Sequence, residues 1–352
     1  MKYRALSRST LPISEIGFGL WTLSTGWWGN YTDEEAVRLM RLGFDLGITL
    51  YDAADTYGNG KSEELIAQAF TTPQERDRIV IATKVGYDFI NHGDARRGQR
   101  EIPQDFSPLA IRAATEAALK RLKTDRIDVL QLHNIRLDQV MQDDLWELLE
   151  NLKIEGKIMH HGVALGPAIG WLGEGAAAIE KRNPDVVQHI YNLLEQHPGK
   201  TLHRVAEATE SNTRFFIRVP HSSGMLEGKY TAETIFPPND HRNHRPRSWL
   251  LNGVKKVEQL RFLETGDRTM GQAAMQWLLS DPRVATVLPN IYDEQQLREF
   301  ATTSTTPPLH EEEMIRIDDL VSHHFGIEQE EGKFKGLMEL PVSLRSRVEA
   351  RI

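Results

Sequence analysis

The chain has no cysteine among its 352 residues. That removes disulfides, thiolate-held zinc, iron–sulfur clusters and cysteine nucleophiles in one step, so any redox chemistry must come from a bound cofactor. A long uncharged apolar run is also missing, and nothing reaches the length that a bilayer-spanning helix needs. The N-terminus, Met1 to Arg8, lacks the apolar stretch and small-residue cleavage site of a secretory signal, so a cytoplasmic location is expected. Positive charge is not in excess: 42 Lys and Arg against 50 Asp and Glu leave a formal charge of −8, the wrong sign for a general nucleic-acid binder. One local exception is the basic stretch His241 to Arg247, read either as a solvated loop or as a contact for an anion or cofactor. With 40% hydrophobic and 26% charged residues, the chain has the balance of a water-soluble globular protein with a sizeable core.

What is present is an alternation. Strand-length apolar runs recur with helical stretches between them, at Ile16–Leu20, Ile48–Ala53, Ile79–Val85, Ile127–His133, Ile158–Leu165, Val186–Asn192, Phe215–Pro220 and Val284–Pro289. Several are almost wholly apolar, as parallel strands covered on both faces are. The intervening segments carry helix punctuation. Thr32-Asp-Glu-Glu35 is a capping box opening a helix to Leu46, Leu109–Leu122 is a second helix, and a third built on Trp146, Leu148, Leu149 and Leu152 stops near Gly156. Eight such units can close into a (β/α)8 barrel or lie open as a doubly wound sheet. The glycine-rich fingerprint of an open dinucleotide fold is incomplete, because Gly17-Phe-Gly19-Leu-Trp-Thr22 has no third glycine. Polar residues instead collect at the ends of several strands, which is the habit of a barrel. The expected fold is therefore an α/β (β/α)8 TIM barrel over residues 1–306, with a C-terminal helical extension, Glu311–His324 and the charged tail, over 307–352.

Four of those polar residues are chemically complementary: Asp52, Tyr57, Lys84 and His133. Reduction of a carbonyl needs a hydride donor, an acid at the oxygen and a group that orients it. A phenol ordinarily titrates near about 10, so it becomes an effective acid only beside a group that stabilises phenolate, such as an ammonium. Tyr57 and Lys84 suit those two roles, Asp52 is the carboxylate that a buried lysine requires, and His133 can hydrogen-bond the substrate oxygen. Taken singly, each has a structural alternative: a turn tyrosine, an ion pair, a core histidine. Two long polar segments, Asp88–Ser107 with Arg96, Arg97 and Arg100, and Thr231–Ser248, are expected over the barrel mouth. Trp21, Trp27 and Trp28 follow the first strand, where they either wall a pocket or pack beneath a loop.

At this point the chain resembles the aldo-keto reductase superfamily. The likeness runs from about Leu11 to Ala301 and is carried by Asp52–Gly58, Gly60-Lys-Ser-Glu-Glu64, Thr83-Lys84, Leu130-Gln-Leu-His133, Gly156-Lys157, Gly162-Val163, Gln188, Tyr191-Asn192 and Ser223-Gly-Met-Leu-Glu-Gly-Lys-Tyr230. It implies a (β/α)8 barrel, a catalytic tetrad of Asp52, Tyr57, Lys84 and His133, a small carbonyl or alcohol substrate, and a nicotinamide cofactor, NADP with NAD not excluded. It also implies cofactor contacts from Trp21, Gln188, Arg218, Ser222, Ser223, Gly224, Leu226 and Gln296. The departures sit in the cofactor site. Ala164 and Leu165 stand where Ser-Asn is usual, Tyr292 replaces the basic residue for a 2′-phosphate, Phe300 replaces an asparagine, and Asp293 adds a charge that favours NAD. Arg298 and the basic loop are the candidates to compensate. The rival readings are a cofactor-binding regulatory or inactive barrel, and metal-dependent hydrolysis prompted by His160-His161. The latter is opposed by the opposite facing of adjacent strand residues.

Overall fold

The computed structural model describes residues 1–6, 12–92, 102–238, 240–328 and 334–349. Arg96, Arg97 and Arg100 of the long polar segment lie outside the described residues. A short antiparallel hairpin, β1 (Tyr3–Ala5) and β2 (Pro12–Ser14), precedes eight parallel strands: β3 (Phe18–Gly19), β4 (Leu50–Asp52), β5 (Val80–Val85), β6 (Ile127–His133), β7 (Ile158–Ala164), β8 (Val186–Ile190), β9 (Arg214–Arg218) and β10 (Val284–Leu288). Each pairs with its sequence neighbour. The ring closes between β10 and the start of β3, where Gly17 N–H donates to the Val287 carbonyl and Val287 N–H to that of Glu15. Successive βα units joined by right-handed crossovers produce this order when the sheet curls on itself.

All eight expected strands are present, most of them shorter at one or both ends; β6 keeps its expected bounds. The expected run to Asn192 ends at Ile190, because the next residues turn over the mouth, where the Asn192 side chain accepts from Leu194 and Glu195 N–H. The Thr32–Glu35 capping box forms in both directions at the head of helix Asp33–Asp45, an arrangement worth about 1 kcal/mol. The helix containing Trp146 spans Asp143–Ile154 and ends before Gly156, whose φ of +74° suits glycine. The C-terminal helix Glu311–Ser322 stops two residues short of its expected end.

Period-two alternation sorts each strand into an outer face against helices and an inner face. Leu50, Val80, Ala82, Val129, Val186 and Phe216 fill the barrel interior together with Leu6 and Ile13 around the N-terminal hairpin, which plugs the bottom. One step further along the same faces come Asp52 on β4, Lys84 on β5, Gln131 and His133 on β6, Gln188 on β8 and Arg218 on β9. The packed apolar layer thus ends where the polar layer begins, at the C-terminal mouth. Among the described residues no helix is long and apolar enough to cross a membrane.

Candidate active site

Lys84 lies at the centre. Its side chain is 1% exposed, and the ammonium donates to Asp52 Oδ2 at 2.6 Å and to the Ala53 carbonyl at 2.7 Å. The other oxygen of Asp52 accepts from Gln188 Nε2 at 3.0 Å and from Gln131 Nε2 at 3.3 Å. A buried carboxylate is tolerated only when its acceptor sites are filled, and this one is met from three other strands. The ammonium stands 4.8 Å from the centroid of the Tyr57 ring. His133 faces that ring edge-on at 5.9 Å and Tyr87 at 5.1 Å. Asp52, Tyr57, Lys84 and His133 are therefore gathered at one spot, as their positions in the sequence imply.

The loop that presents Tyr57 is held from below. Ser62 Oγ donates to the Ala54 carbonyl at 2.9 Å, and Gly58, at φ +63°, passes so close to the Ser24 carbonyl that a Cβ would lie 2.4 Å from it. Beneath Lys84, buried Glu63 accepts from Thr83 Oγ1 and Arg121 Nε, both at 2.6 Å, while burial raises its carboxyl above the ordinary carboxylate range. This accounts for the first Glu of the Gly60–Glu64 motif as a brace beneath the strand.

Around this centre lie the other residues expected to contact a cofactor. Arg218 is buried, its guanidinium held against the Leu165 carbonyl, while its Nε has no partner. Burial lowers the guanidinium's pKa, and the nearby Tyr57, Asp52 and Tyr87 oppose that shift. After β9 the chain takes left-handed conformations at Val219 (φ +57°), Ser222 (+46°), Ser223 (+57°) and Gly224 (+86°), the kind of backbone concavity that cradles phosphate. Loops after the seventh and eighth strands are where barrels commonly hold phosphate. Gln296, in the first turn of helix Glu294–Ala301, accepts from Tyr292 N–H at 3.0 Å, but its buried Nε2 is unpartnered. An unmatched guanidinium nitrogen, a left-handed backbone run and an unmatched amide on the segments after β9 and β10 are groups that a polar ligand would satisfy.

Other expected contacts are qualified by the geometry. Leu226 is fully buried and its N–H is spent on the His221 carbonyl at 3.0 Å; Ser222 N–H returns to Val219 at 3.1 Å. Gln188 is engaged by Asp52. Ala164 and Leu165 are both buried and bring no polar side chain, leaving Asn134 and Arg218 as the polar groups flanking Gly166. Trp21 is half-buried, edge-on to His241 at 5.6 Å. In the basic stretch, Arg242 is structural: it pairs with Asp240 at 2.6 Å and lies over the Trp28 ring at 4.2 Å. Arg245 reaches the cradle, donating to Ser223 Oγ at 3.3 Å. Arg298 is occupied by Glu294 at 2.8 Å. His160 and His161 point to opposite faces, toward Asp185 and Glu150 respectively, and no metal-ligating cluster occurs among the described residues.

Several participants escape sequence reading. Gln131 had a signal, being on the same face of β6 as His133. Glu227 lies within the Ser223–Tyr230 motif, but its partner was not legible: it accepts from Tyr292 Oη at 2.6 Å across 65 residues, and its side chain is 6% exposed. Burial and that carboxylate hold the Tyr292 phenol well above its ordinary range, so it stays a donor.

Comparison with known proteins finds relatives over most of the chain. The family model described as the aldo/keto reductase family matches residues 15–322. An uncharacterized oxidoreductase, YqkF, of Bacillus subtilis is 30% identical over 317 residues, covering 89% of this chain and 94% of its own. The aldo-keto reductase YhdN of the same organism is 28% identical over 289 residues, covering 80% and 82%. The holo form of aldo-keto reductase AKR11C1 from Bacillus halodurans superposes with a TM-score of 0.72 at 28% identity, over 91% of this chain and 96% of its own.

Proposed function

The chain belongs to the aldo/keto reductase family and is an NAD(P)(H)-dependent oxidoreductase acting on a small carbonyl or alcohol, and we propose that Tyr57, Lys84, Asp52 and His133 carry the proton side of that reaction. A nicotinamide, when bound, supplies or takes up the hydride at the substrate carbon. Everything else is done by the chain. Tyr57 gives its hydroxyl proton to the carbonyl oxygen, and in the reverse direction takes it back from the alcohol. Lys84, 4.8 Å from the phenol ring, stabilises the phenolate left behind, and Asp52 keeps Lys84 in place. His133, edge-on to Tyr57, orients the oxygen. Arg218, the Ser222–Gly224 cradle, Gln296 and Trp21 are the groups that would hold the dinucleotide. The single observation that carries this reading is the convergence of Lys84, Asp52, Tyr57 and His133 at the end of the barrel's polar layer.

Of the two dinucleotides, the resemblance carries NADP as its default, and Lys229 and Arg245 are the cations that would serve it. Three observations favour NAD. Glu227 is tied to Tyr292, Asp293 caps the next helix through Gln296 N–H at 2.7 Å, and Arg298 is occupied by Glu294. A carboxylate accepts from a ribose hydroxyl and repels a phosphate. Fluorescence titration with NADH and NADPH, followed by turnover over a carbonyl panel, tests both statements. Absence of binding to either would overturn the function, and tighter NADPH would overturn only the preference.

A binding-only, regulatory role is the second reading, favoured by Ala164 and Leu165, which offer the nicotinamide no polar side chain. Tyr57→Phe separates the two, abolishing turnover in an enzyme and leaving a binding role unchanged.

A further inference from the structure

The family model ends at residue 322, but the described residues include 334–349, which lie against the loop after β7. Lys335 N–H donates to the Ile169 carbonyl at 3.0 Å, Trp171 N–H to Lys335 at 2.8 Å, and Gly173 N–H to Leu337 at 2.8 Å. Helix Leu172–Arg182 has no side-chain cap, so these tail carbonyls satisfy amides that its first turn would otherwise leave unmatched. The contact is reciprocal: the buried carboxylate of Glu174 accepts Leu337 N–H at 3.1 Å. Three glycines permit the approach. A Cβ on Gly170 would lie 2.1 Å from the Lys335 carbonyl, one on Gly173 2.7 Å from Leu337, and one on Gly336 2.3 Å from the Trp171 ring. The tail is anchored beyond this by Leu344 and Val348, buried where helix Val342–Glu349 packs on helix Gly199–Ala208, and by Arg347, which donates to the Ala208 carbonyl at 2.6 Å.

Trp171 is the residue the tail holds. It has a left-handed backbone, φ +65°, disfavoured for a bulky side chain and maintained only where surroundings enforce it. Its ring carries the Arg136 guanidinium at 4.1 Å. Arg136 in turn donates to the carbonyl of Asn134, with a longer contact to that of Gly166 at 3.4 Å. Asn134 follows His133 directly; its N–H is bonded to Ala164 at 2.7 Å, and its side chain donates to Tyr87 Oη at 2.8 Å, the ring that faces His133. Every link from Gly336 to His133 is a packed ring, a cation on a ring or a hydrogen bond.

We propose that the segment Phe334–Glu339 is a strap that sets the substrate side of the site. Trp171 and Arg136 are positioning residues through which it fixes the backbone at His133 and Asn134. The kinetic part of this inference rests on the function proposed above, in which His133 orients the substrate oxygen; the structural part does not.

The test compares the full chain with a chain ending at Glu328, with Trp171→Leu, which cannot carry the guanidinium, and with Trp171→Phe, which can. Hydrogen exchange read by mass spectrometry should show amides of 166–175 and also of 133–137 exchanging at least tenfold faster in the shortened chain. Strands β4 and β5 should stay within twofold. Trp171→Leu should reproduce the effect at 133–137 and Trp171→Phe should largely restore it. In turnover, kcat/KM for the carbonyl should fall at least tenfold in the first two variants while dinucleotide Kd stays within twofold. Opening at 166–175 without change at 133–137 would overturn the proposal, leaving the tail as a cover for one loop. Should the shortened chain unfold outright, Trp171→Leu decides alone. The expected exchange pattern in a chain that reduces no carbonyl would sink the function and leave the strap standing.

Discussion

Removing the Lys84 ammonium together with its Asp52 partner should cost clearly less than the two separate removals added up. In Lys84→Met the Asp52 carboxylate stays buried with Gln188 at 3.0 Å and Gln131 at 3.3 Å as donors but no counter-charge. Stripping one member from a buried ion pair costs about 3–5 kcal/mol. Asp52→Asn leaves the converse problem, an ammonium with the Ala53 carbonyl at 2.7 Å and a neutral amide. With both replaced, no uncompensated charge remains, and residues in direct contact couple by up to about 3 kcal/mol. The double variant should therefore fall short of the summed single losses by about 2–3 kcal/mol. Each single variant should lower the melting midpoint by on the order of 10 °C. Urea unfolding followed by tryptophan fluorescence measures all three variants. Additivity within about 0.5 kcal/mol would refute the argument, because it would mean that Asp52 does not hold the ammonium beside Tyr57.

The remaining expectations are narrower. Tyr57→Phe should cut kcat by about 10²–10⁴, the usual worth of a positioned proton donor, while NADH titration shows an unchanged Kd. Tyr292→Arg combined with Glu227→Gln should tighten NADPH at least tenfold relative to NADH, about 1.4 kcal/mol, read from paired fluorescence titrations; no relative gain would mean that the Glu227 carboxylate does not face the ribose. The third concerns His189, buried on the outer face of β8, with Nδ1 to the Ile190 carbonyl at 3.2 Å and Nε2 to His203 at 3.0 Å. Burial, then the neighbouring His203, hold its pKa well below the ordinary 6.5. Below that pH the unfolded chain binds a proton that the folded chain refuses, so stability should fall with pH from about 6.5 downward, and the group has no effect above that range. His189→Gln should flatten the dependence of unfolding free energy between about pH 6.5 and 5 by about 1.4 kcal/mol per pH unit, measured from urea curves; an unchanged slope would contradict it.

The sequence by itself determined the repeating units and the face on which chemistry sits. β6 ends at His133 where its apolar run ends, and Asp52, Lys84 and Gln188 continue inner faces already marked by Leu50, Ala82 and Val186. These are local periodicities, written within a few residues of each group they position. The capping box at Thr32 is legible for the same reason, because its partners lie three residues apart.

Only the tertiary structure decided what long-range closure brings together. Glu227 meets Tyr292 because the loops after β9 and β10 converge on one rim, and nothing near either residue encodes the other. The hairpin strands Tyr3–Ala5 and Pro12–Ser14 have no apolar run long enough to announce a plug; they matter because the barrel leaves a bottom to fill. Trp171 and Gly336 touch across most of the C-terminal half of the chain, and the three glycines that permit the strap read in sequence as ordinary turn residues. Periodicity specifies the face a side chain takes on its own element. Which distant backbone comes to lie against it depends on how the ring closes, and that is a property of all eight strands at once.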